Sequence, residues 1–532
     1  MRGPQGGGRR PGGGRGPGGG GRSRGPGRPG GPGQRRDRGP EGGGPPRPPR
    51  QDGESRGEHR PPRPAGERRE HGPRPPRQDG ESRGERRPPF RAGQRDDRRG
   101  PAPARREAYD FAKKVLDGKA RVVSPAPATP APLAPPPPPG ARLIDVTEIE
   151  SRIEKLVAGG DGLARFQGVP VFVPRSAPGD LARIRIIERK PDYGRGEIVQ
   201  ILEPGPDRRP DPVPELSRSS ICDLQHLDDD TQTRLKVQAV RETLEHLGHV
   251  EVPADTEVIK GEPWGYRLRT QVHTSPDPAT GGIRVGYHAR GTNDLIPVSR
   301  CPLLVPELEE LLRELPAHLG EGAPPRLDLA AGDEGAVTVS PVIEGLPHGE
   351  VSTKVGDFTY SYDARCFFQG HRGLLPRLVE LTVGPWTGGT AVDLYSGVGL
   401  FSLPLAQRYA QVTAVESDPI SSRYARLNVR RNHATNVELV SQVVESWVRK
   451  MPEGLDRVIV DPPRGGLSRD VRNALMDRPP QRLTYVSCHP AALARDLRTL
   501  QKAYRIESFV FFDLFPQTGH METLVQLVRG EG

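Results

Sequence analysis

Five short apolar runs constrain the fold most: Ala391–Leu394, Val412–Val415, Val437–Val440, Val458–Val460 and Leu483–Val486. Stretches of helical character separate them, and each run is too short to be a helix itself. Strands that alternate with helices pair in parallel, because each connection has to cross back over the sheet. Residues 351–532 are therefore expected to form a doubly wound α/β sheet. Ligands of such sheets sit at the carboxyl ends of the strands. That is where this sequence places Asp393 and the Gly397-Val-Gly399 turn, Glu416, Asp461 and Cys488.

Each strand end suits a particular chemistry. The glycines at 397 and 399 let backbone approach a nucleotide-like ligand. The acidic Asp393 argues against a diphosphate, which favours a bare helix N-terminus. Glu416 stands where a carboxylate accepts ribose hydroxyls, and two strand-end acids favour S-adenosylmethionine over NAD. In Asp461-Pro462-Pro463-Arg464-Gly465-Gly466 the two prolines force an extended turn that joins neither neighbouring element. The result is a rigid shelf for a flat base. Adenine-amino methyltransferases use a comparable shelf, so this stretch alone leaves the target atom open. Cys488 ends an apolar strand, and Pro490 opens the helix Ala491–Leu500. A thiol at a helix start is expected to ionise below its ordinary value of about 8.5. Taken alone, such a cysteine is more often a packed core residue. Glu522, at the base of a loop entering the strand Leu524–Val528, offers a proton acceptor; a solvated carboxylate is the alternative.

The rest of the chain differs in kind. Up to Arg36 it is almost wholly arginine, glycine and proline with no acidic residue, and Arg47–Glu58 recurs as Arg74–Glu85. So little apolar surface cannot offset the ordering entropy of the backbone, and residues 1–140 are expected to be disordered. Arginine and glycine suit salt-sensitive contact with RNA, and a solubilising tail is the other reading. One short helix is expected at Ala104–Lys119 and a stiff proline-rich linker at Pro125–Pro139. Short strands at Ile144–Ile149, Val169–Val173 and Leu181–Ile187 with tight turns predict a small β-barrel over 141–204. Arg185, Arg189, Lys190, Arg195, Arg208 and Arg209 form either an RNA-facing edge or a solvated rim. Residues 205–350 read as an α+β region, with an amphipathic helix at Thr231–Leu247 stopped by Gly248 and antiparallel strands beyond it.

The net charge of +10 points to an anionic partner, with nucleic acid the usual one. Four scattered cysteines make no disulfide framework, and no apolar run reaches the roughly 18 residues of a membrane span. With no apolar secretory core at the N-terminus, a soluble protein of the reducing cytoplasm is expected.

Four stretches in order, Asp393-Leu-Tyr-Ser-Gly-Val-Gly399, Asp461-Pro-Pro-Arg-Gly-Gly466, Val486-Ser-Cys-His-Pro-Ala-Ala-Leu-Ala-Arg-Asp496 and Phe515-Pro-Gln-Thr-Gly-His-Met-Glu522, resemble the RNA (uracil-5-)-methyltransferase family. The resemblance runs from about Ile144 to Val528, and residues 141–203 resemble that family's TRAM RNA-binding barrel. It implies Cys488 as nucleophile, Glu522 as proton acceptor, and Gln369, Tyr395, Glu416 and Asp461 as contacts to S-adenosylmethionine. It implies methylation of C5 of a uridine, with ribosomal RNA first because the barrel is typical of the rRNA-directed branch. The T-loop uridine of tRNA is the close alternative. A non-catalytic RNA-binding or chaperone protein is the alternative of another class, opposed by the presence of both Cys488 and Glu522. No membrane partner and a monomer are expected. Two departures stand out. Many relatives hold an iron–sulfur cluster on four cysteines, yet only Cys222 and Cys301 match here, so the cluster is expected to be absent and no metal site is assigned. The family's Gln-Val-Asn is Gln369-Gly370-His371 in this chain.

Overall fold

The computed structural model describes Leu143 and residues 146–530. The expected tail, the Ala104–Lys119 helix and the Pro125–Pro139 linker lie outside the described residues.

The first described strands are β1 (Glu148–Arg152), β2 (Lys155–Leu156), β3 (Gly162–Phe166), β4 (Val169–Val173), β5 (Leu181–Arg189) and β6 (Gly194–Glu203). They form one six-stranded sheet in the order β1-β5-β6-β4-β3-β2. Alternation decides which face is buried: Ala182, Ile184 and Ile186 of β5 point inward with Ile149, Val171 and Val173. The first strand is displaced from its expected span of Ile144–Ile149. It starts at Glu148, because pairing of Ile149 with Ile184 sets the register. The six basic residues expected at an edge all have partners within the chain, though Arg185, Lys190 and Arg195 stay at the surface. Arg185 meets Glu148 and Glu197, Lys190 meets Glu188, and Arg195 meets Glu188 and Asp161. Arg189 donates to the Val146 carbonyl, and Arg209 meets Asp229 and the Gln225 carbonyl. Arg208 reaches inside to the fully buried Asp180.

Next come α1 (Asp229–Thr243), β7 (Glu257–Lys260), β8 (Arg269–Pro276), β9 (Ile283–His288), β10 (Leu295–Pro297), α2 (Pro306–His318), β11 (Arg326–Ala331) and β12 (Val337–Ser340). Strands β8 to β12 make an antiparallel sheet, and α2 buries Leu308, Leu311, Leu312 and Leu315 at helical spacing into the same core. Helix α1 ends differently from the expectation. Past Thr243 the helix widens into a π turn, Leu244–Gly248, and the left-handed residue that closes it is His249 (φ 53), not Gly248. Gly248 answers to packing instead: a Cβ there would lie 3.0 Å from the Ala494 carbonyl oxygen.

The C-terminal region contributes β13 (Val351–Val355), β14 (Phe358–Tyr362), α3 (Leu375–Val383), β15 (Gly388–Leu394), α4 (Ser402–Ala406), β16 (Tyr409–Glu416), α5 (Pro419–Arg431), β17 (Val437–Ser441), α6 (Val444–Trp447), β18 (Arg457–Val460), α7 (Arg469–Asp477), β19 (Arg482–Ser487), α8 (Pro490–Leu500), β20 (Tyr504–Asp513) and β21 (Glu522–Arg529). All five expected core strands are present in a parallel set ordered β17-β16-β15-β18-β19. The sheet is not wholly parallel: β21 inserts antiparallel between β19 and β20. The far edge is β7, paired parallel to β20. No helix among the described residues is long and apolar enough to cross a membrane.

Asp180 fixes the barrel to the chain that follows it. Its carboxylate accepts from the Ala177 and Gly205 amides at 2.7 and 2.8 Å and from the Arg208 guanidinium at 2.7–3.0 Å. Burial pushes this carboxyl up, but Arg208 and the two amides outweigh it and hold it below the ordinary value. Such a contribution is complete above the unfolded value near pH 4 and lost as pH falls through the lowered folded value. Asp180→Ala strands the Arg208 charge and should cost about 3–5 kcal/mol of stability at pH 7. Denaturant titration measures this, and the deficit should shrink at the acid end of the pH range.

Candidate active site

Strand β19 ends at Ser487, and His489 caps the helix that follows. Its Nδ1 accepts from the Ala492 amide at 3.2 Å, and Pro490 takes the first helical position, where no amide is needed. Cys488 is held between the two, half-buried. Because β21 runs antiparallel and the last pair of the ladder is Ser487 and Thr523, Cys488 and Glu522 both lie one residue beyond it, close enough for Glu522 to act on the thiol. Glu522 is 2% exposed, and its Oε1 has no hydrogen-bond partner among the described residues.

Asp461 follows β18 and is linked to Gln369, whose Nε2 donates to its Oδ2 at 3.1 Å. The other end of that amide, Gln369 Oε1, is buried and unpartnered among the described residues. The Asp461–Leu467 shelf is fixed from beneath by the fully buried Asp496 of α8. Asp496 accepts from the Leu467 amide at 2.8 Å, from Tyr485 Oη at 2.9 Å and from Arg472 at 2.9 Å.

The electrostatics reverse one expectation. Burial, then Glu522, then Asp461 push the Cys488 thiol up to about 12, and Arg464 offsets only part of this. The helix start does not lower it, because loss of water and two neighbouring carboxyls outweigh a partial dipole charge. Burial raises Asp461 to about 7, and burial followed by Asp461 holds Glu522 well above the carboxylate range. Asp393, fully buried, is also raised to about 7. Desolvation comes first, the 2.5 Å bond from Ser402 Oγ works against it, and Asp461 and Glu416 add to it.

Glu416 and Tyr395 stand apart from the thiol. Glu416 Oε2 accepts from the Gly397 amide at 2.9 Å and Oε1 from the Asp418 amide at 2.6 Å, so it shapes the glycine turn. Tyr395 adopts a left-handed backbone (φ 64), as do Gly397 and Gly399 (φ 55 and 92). The Tyr395 ring packs against the apolar cluster that includes Leu394 and Val415. The structure thus brings Cys488, Glu522, Asp461 and Gln369 together and places Tyr395 and Glu416 around the neighbouring turn. Two groups were not singled out by the sequence. Arg464 donates toward His520 Nε2 at 3.0 Å, and His520 is neutral because burial, then Arg464, lowers it to about 4. The other is Lys236, whose signal was a polar residue repeating at helical spacing on α1.

The site suits a cationic, nucleotide-like cofactor. Asp461 and Glu416 both lie within electrostatic reach of Asp393, and Asp393 Oδ1, Ser396 Oγ and Gln369 Oε1 are buried without partners among the described residues. Anionic and acceptor groups of this kind repel a diphosphate and attract a sulfonium. An open α/β sheet with a glycine turn after β15 and acids at the ends of β16 and β18 is the fold of S-adenosylmethionine-dependent methyltransferases.

Comparison with known proteins narrows the class. Residues 349–530 match the tRNA (Uracil-5-)-methyltransferase family model, and residues 145–199 match the TRAM domain. An uncharacterized RNA methyltransferase of Protochlamydia amoebophila is 30% identical over 432 residues, which span 72% of this chain and 98% of that protein. The crystal structure of the Pyrococcus abyssi tRNA (uracil-54, C5)-methyltransferase with S-adenosyl-L-homocysteine is 26% identical, with a TM-score of 0.56. It covers 71% of this chain and 100% of its own. The chain belongs to the RNA (uracil-5-)-methyltransferase family and is an S-adenosylmethionine-dependent RNA methyltransferase.

The thiol's charge environment is directly measurable. Alkylation of Cys488 by iodoacetamide should still accelerate above pH 9, since the other three cysteines are buried. Asp461→Asn removes a negative neighbour and should move the curve down by roughly one pH unit, and Arg464→Met should move it up. A plateau near pH 8 in the unmodified protein would contradict this assignment.

Proposed function

We propose that this protein methylates C5 of a uridine in structured RNA, most simply in ribosomal RNA, with Cys488 as nucleophile and Glu522 as base. The observation that carries the reading is a half-buried thiol and a buried, unpartnered carboxyl, each one residue beyond the last β19–β21 pair and near enough for the carboxyl to raise the thiol.

C5 of uracil is a weak nucleophile on its own. Addition of the Cys488 thiolate at C6 breaks the C5–C6 double bond and gives C5 enolate character. Gln369, Glu416 and Asp461 would hold S-adenosylmethionine around the Tyr395–Gly399 turn, where it would supply an electrophilic methyl group; C5 takes that methyl as the methyl–sulfonium bond breaks, leaving S-adenosylhomocysteine. Glu522 then takes the proton from C5, the double bond re-forms, and the thiolate leaves C6. In the free protein, burial and the carboxyls keep Cys488 protonated. A cation settling beside Asp461 favours both thiolate and carboxylate, so the nucleophile is released as the site fills. The base has to be unpaired or flipped out, because C6 is out of reach within a helix.

The barrel supports the ribosomal reading, with the region 205–350 sharing the grip on RNA and 351–532 performing the chemistry. A T-loop uridine of tRNA is the second reading. The observation favouring it is the Pyrococcus abyssi enzyme, which is matched over its whole length and named for uracil-54 of tRNA. The free cysteines suit a reducing cytoplasm, and a monomer suffices because every proposed catalytic group comes from one chain. We assign no iron–sulfur cluster. Cys222 and Cys301 are completely buried in the apolar core, burial raises both thiols, and two cysteines cannot supply four ligands.

Cys488→Ala should abolish both methyl transfer and covalent RNA capture while RNA binding persists; residual turnover would overturn the mechanism. Glu522→Gln should slow turnover by roughly 10²–10⁴-fold and leave methylated RNA attached to Cys488. Sequencing that trapped RNA names the target, and a tRNA T-loop sequence would decide for the second reading. Elemental analysis of protein purified without oxygen should find no stoichiometric iron.

A further inference from the structure

Glu522 stands at the end of a loop, residues 514–521, that lies across the carboxyl edge of the sheet almost without exposure. Pro516, Gln517, Thr518 and Gly519 are all buried. A buried loop has to find partners for its backbone polar groups, and here nearly all of them come from elements distant in sequence. Gln517 adopts a left-handed backbone (φ 66) and is fully buried, a conformation that persists only where its surroundings over-determine it.

One face of α1 supplies most of those partners. Asp229, Gln232, Thr233 and Lys236 repeat at helical spacing. Gln232 holds Gln517 from both sides: its Oε1 accepts from the Gln517 amide at 2.8 Å, and its Nε2 donates to Gln517 Oε1 at 2.9 Å. Gln517 Nε2 reaches Asp229 Oδ1 at 2.7 Å, and Thr233 Oγ1 donates to Asp513 Oδ2 at 2.9 Å. Lys236, 2% exposed, completes the set. Its ammonium lies 2.5 Å from Asp513 Oδ1 and 3.1–3.2 Å from the carbonyl oxygens of Phe515, Thr518 and His520. A single buried cation therefore ties both ends of the loop together, two residues short of Glu522.

The barrel closes the other side. A Cβ on Gly519 would lie 2.3 Å from the Gly159 carbonyl oxygen and 2.7 Å from the Gly160 Cα, so the β2–β3 turn rests directly on the loop tip. Arg290, which pairs with Asp161 of that turn and with Asp223, braces the contact. Tyr266 Oη donates to the Pro516 carbonyl at 2.9 Å, and the Leu224 amide donates to the Gln517 carbonyl at 3.0 Å.

We propose that the Asp229–Lys236 face of α1, with the Gly159–Gly160 turn of the barrel, is a clamp that positions Glu522 against Cys488. Lys236 is its central positioning residue. The inference rests on Glu522 being the base of the proposed reaction. Cys488 and the cofactor turn are anchored separately, by α8, Asp496 and Glu416. Loosening the clamp therefore leaves nucleophilic addition and methyl uptake intact and delays removal of the C5 proton. The thiol–C6 bond then persists, and RNA stays attached to the protein after methylation.

The test uses the full chain, a tritiated methyl donor and total RNA from cells lacking this protein. Lys236→Met is combined with Asp513→Asn so that no lone charge is left buried; Gly519→Ala, which acts from the barrel side, is the independent second variant. Both should lower kcat by roughly tenfold or more, leave S-adenosylhomocysteine affinity unchanged, and raise the fraction of radiolabelled RNA covalently bound to protein. Variants with native melting curves in which adduct and turnover fall together, or neither changes, would overturn the clamp. If the double variant does not fold, Gly519→Ala decides by the same criterion, and Gln232→Ala replaces it should it too be unfolded. Glu522→Gln run in parallel separates the two levels: if it fails to trap methylated RNA, the base assignment falls. If it traps RNA and the clamp variants do not, only the clamp falls.

Discussion

The antiparallel insertion of β21 is the constraint on which the site depends. A parallel sheet gathers all its carboxyl ends on one edge, so two parallel strands cannot oppose an end to a beginning. Strand β21 enters at that same edge, and its first residue, Glu522, falls beside the residue that follows β19. A thiol and a carboxyl from separate parts of the sequence are brought together by the register of the ladder. The same insertion requires the chain to turn back over the edge between Asp513 and Glu522, through a loop that is buried rather than solvated.

Electrostatics gives the pairing its character. Asp393, Asp461 and Glu522 share a poorly hydrated space, and each is raised by burial before any neighbour acts. A positive charge placed among these carboxyls would lower all three. They also keep the thiol quiet, since its ionisation would add another negative charge to the same volume.

Much of this was legible in the sequence. The five apolar runs, the proline at the first position of α8, and the acid, glycine and cysteine strand ends are local signals, and the structure has them where the pattern places them. What was not legible depends on distant neighbours. The direction of the Cys488 shift follows from Glu522 and Asp461, which lie on other strands, so the local helix-start argument pointed the wrong way. The short β2 offers too few residues for alternation to register, and β3 begins inside the glycine-rich turn. Gly248 looked like a helix stop, whereas its lack of a side chain serves the approach of α8. Along α1 and the turn after it, the apolar spacing of Val237, Val240, Leu244 and Leu247 marks one face, although Leu247 itself is exposed. The polar stripe beside them reads as solvent-facing until the loop it holds is known.

The edge strand β7 has a consequence for modularity. It comes from the segment between barrel and methyltransferase sheet, yet it completes that sheet by pairing with β20. The π turn that follows α1 packs on α8 at Gly248. A recombination that joined the C-terminal region of one relative to the front of another would sever the sheet from its own edge. Substitutions on β7 and β20, or on α1 and α8, are accordingly expected to travel together in descent. The inheritable unit of this architecture is the whole of barrel, middle region and sheet.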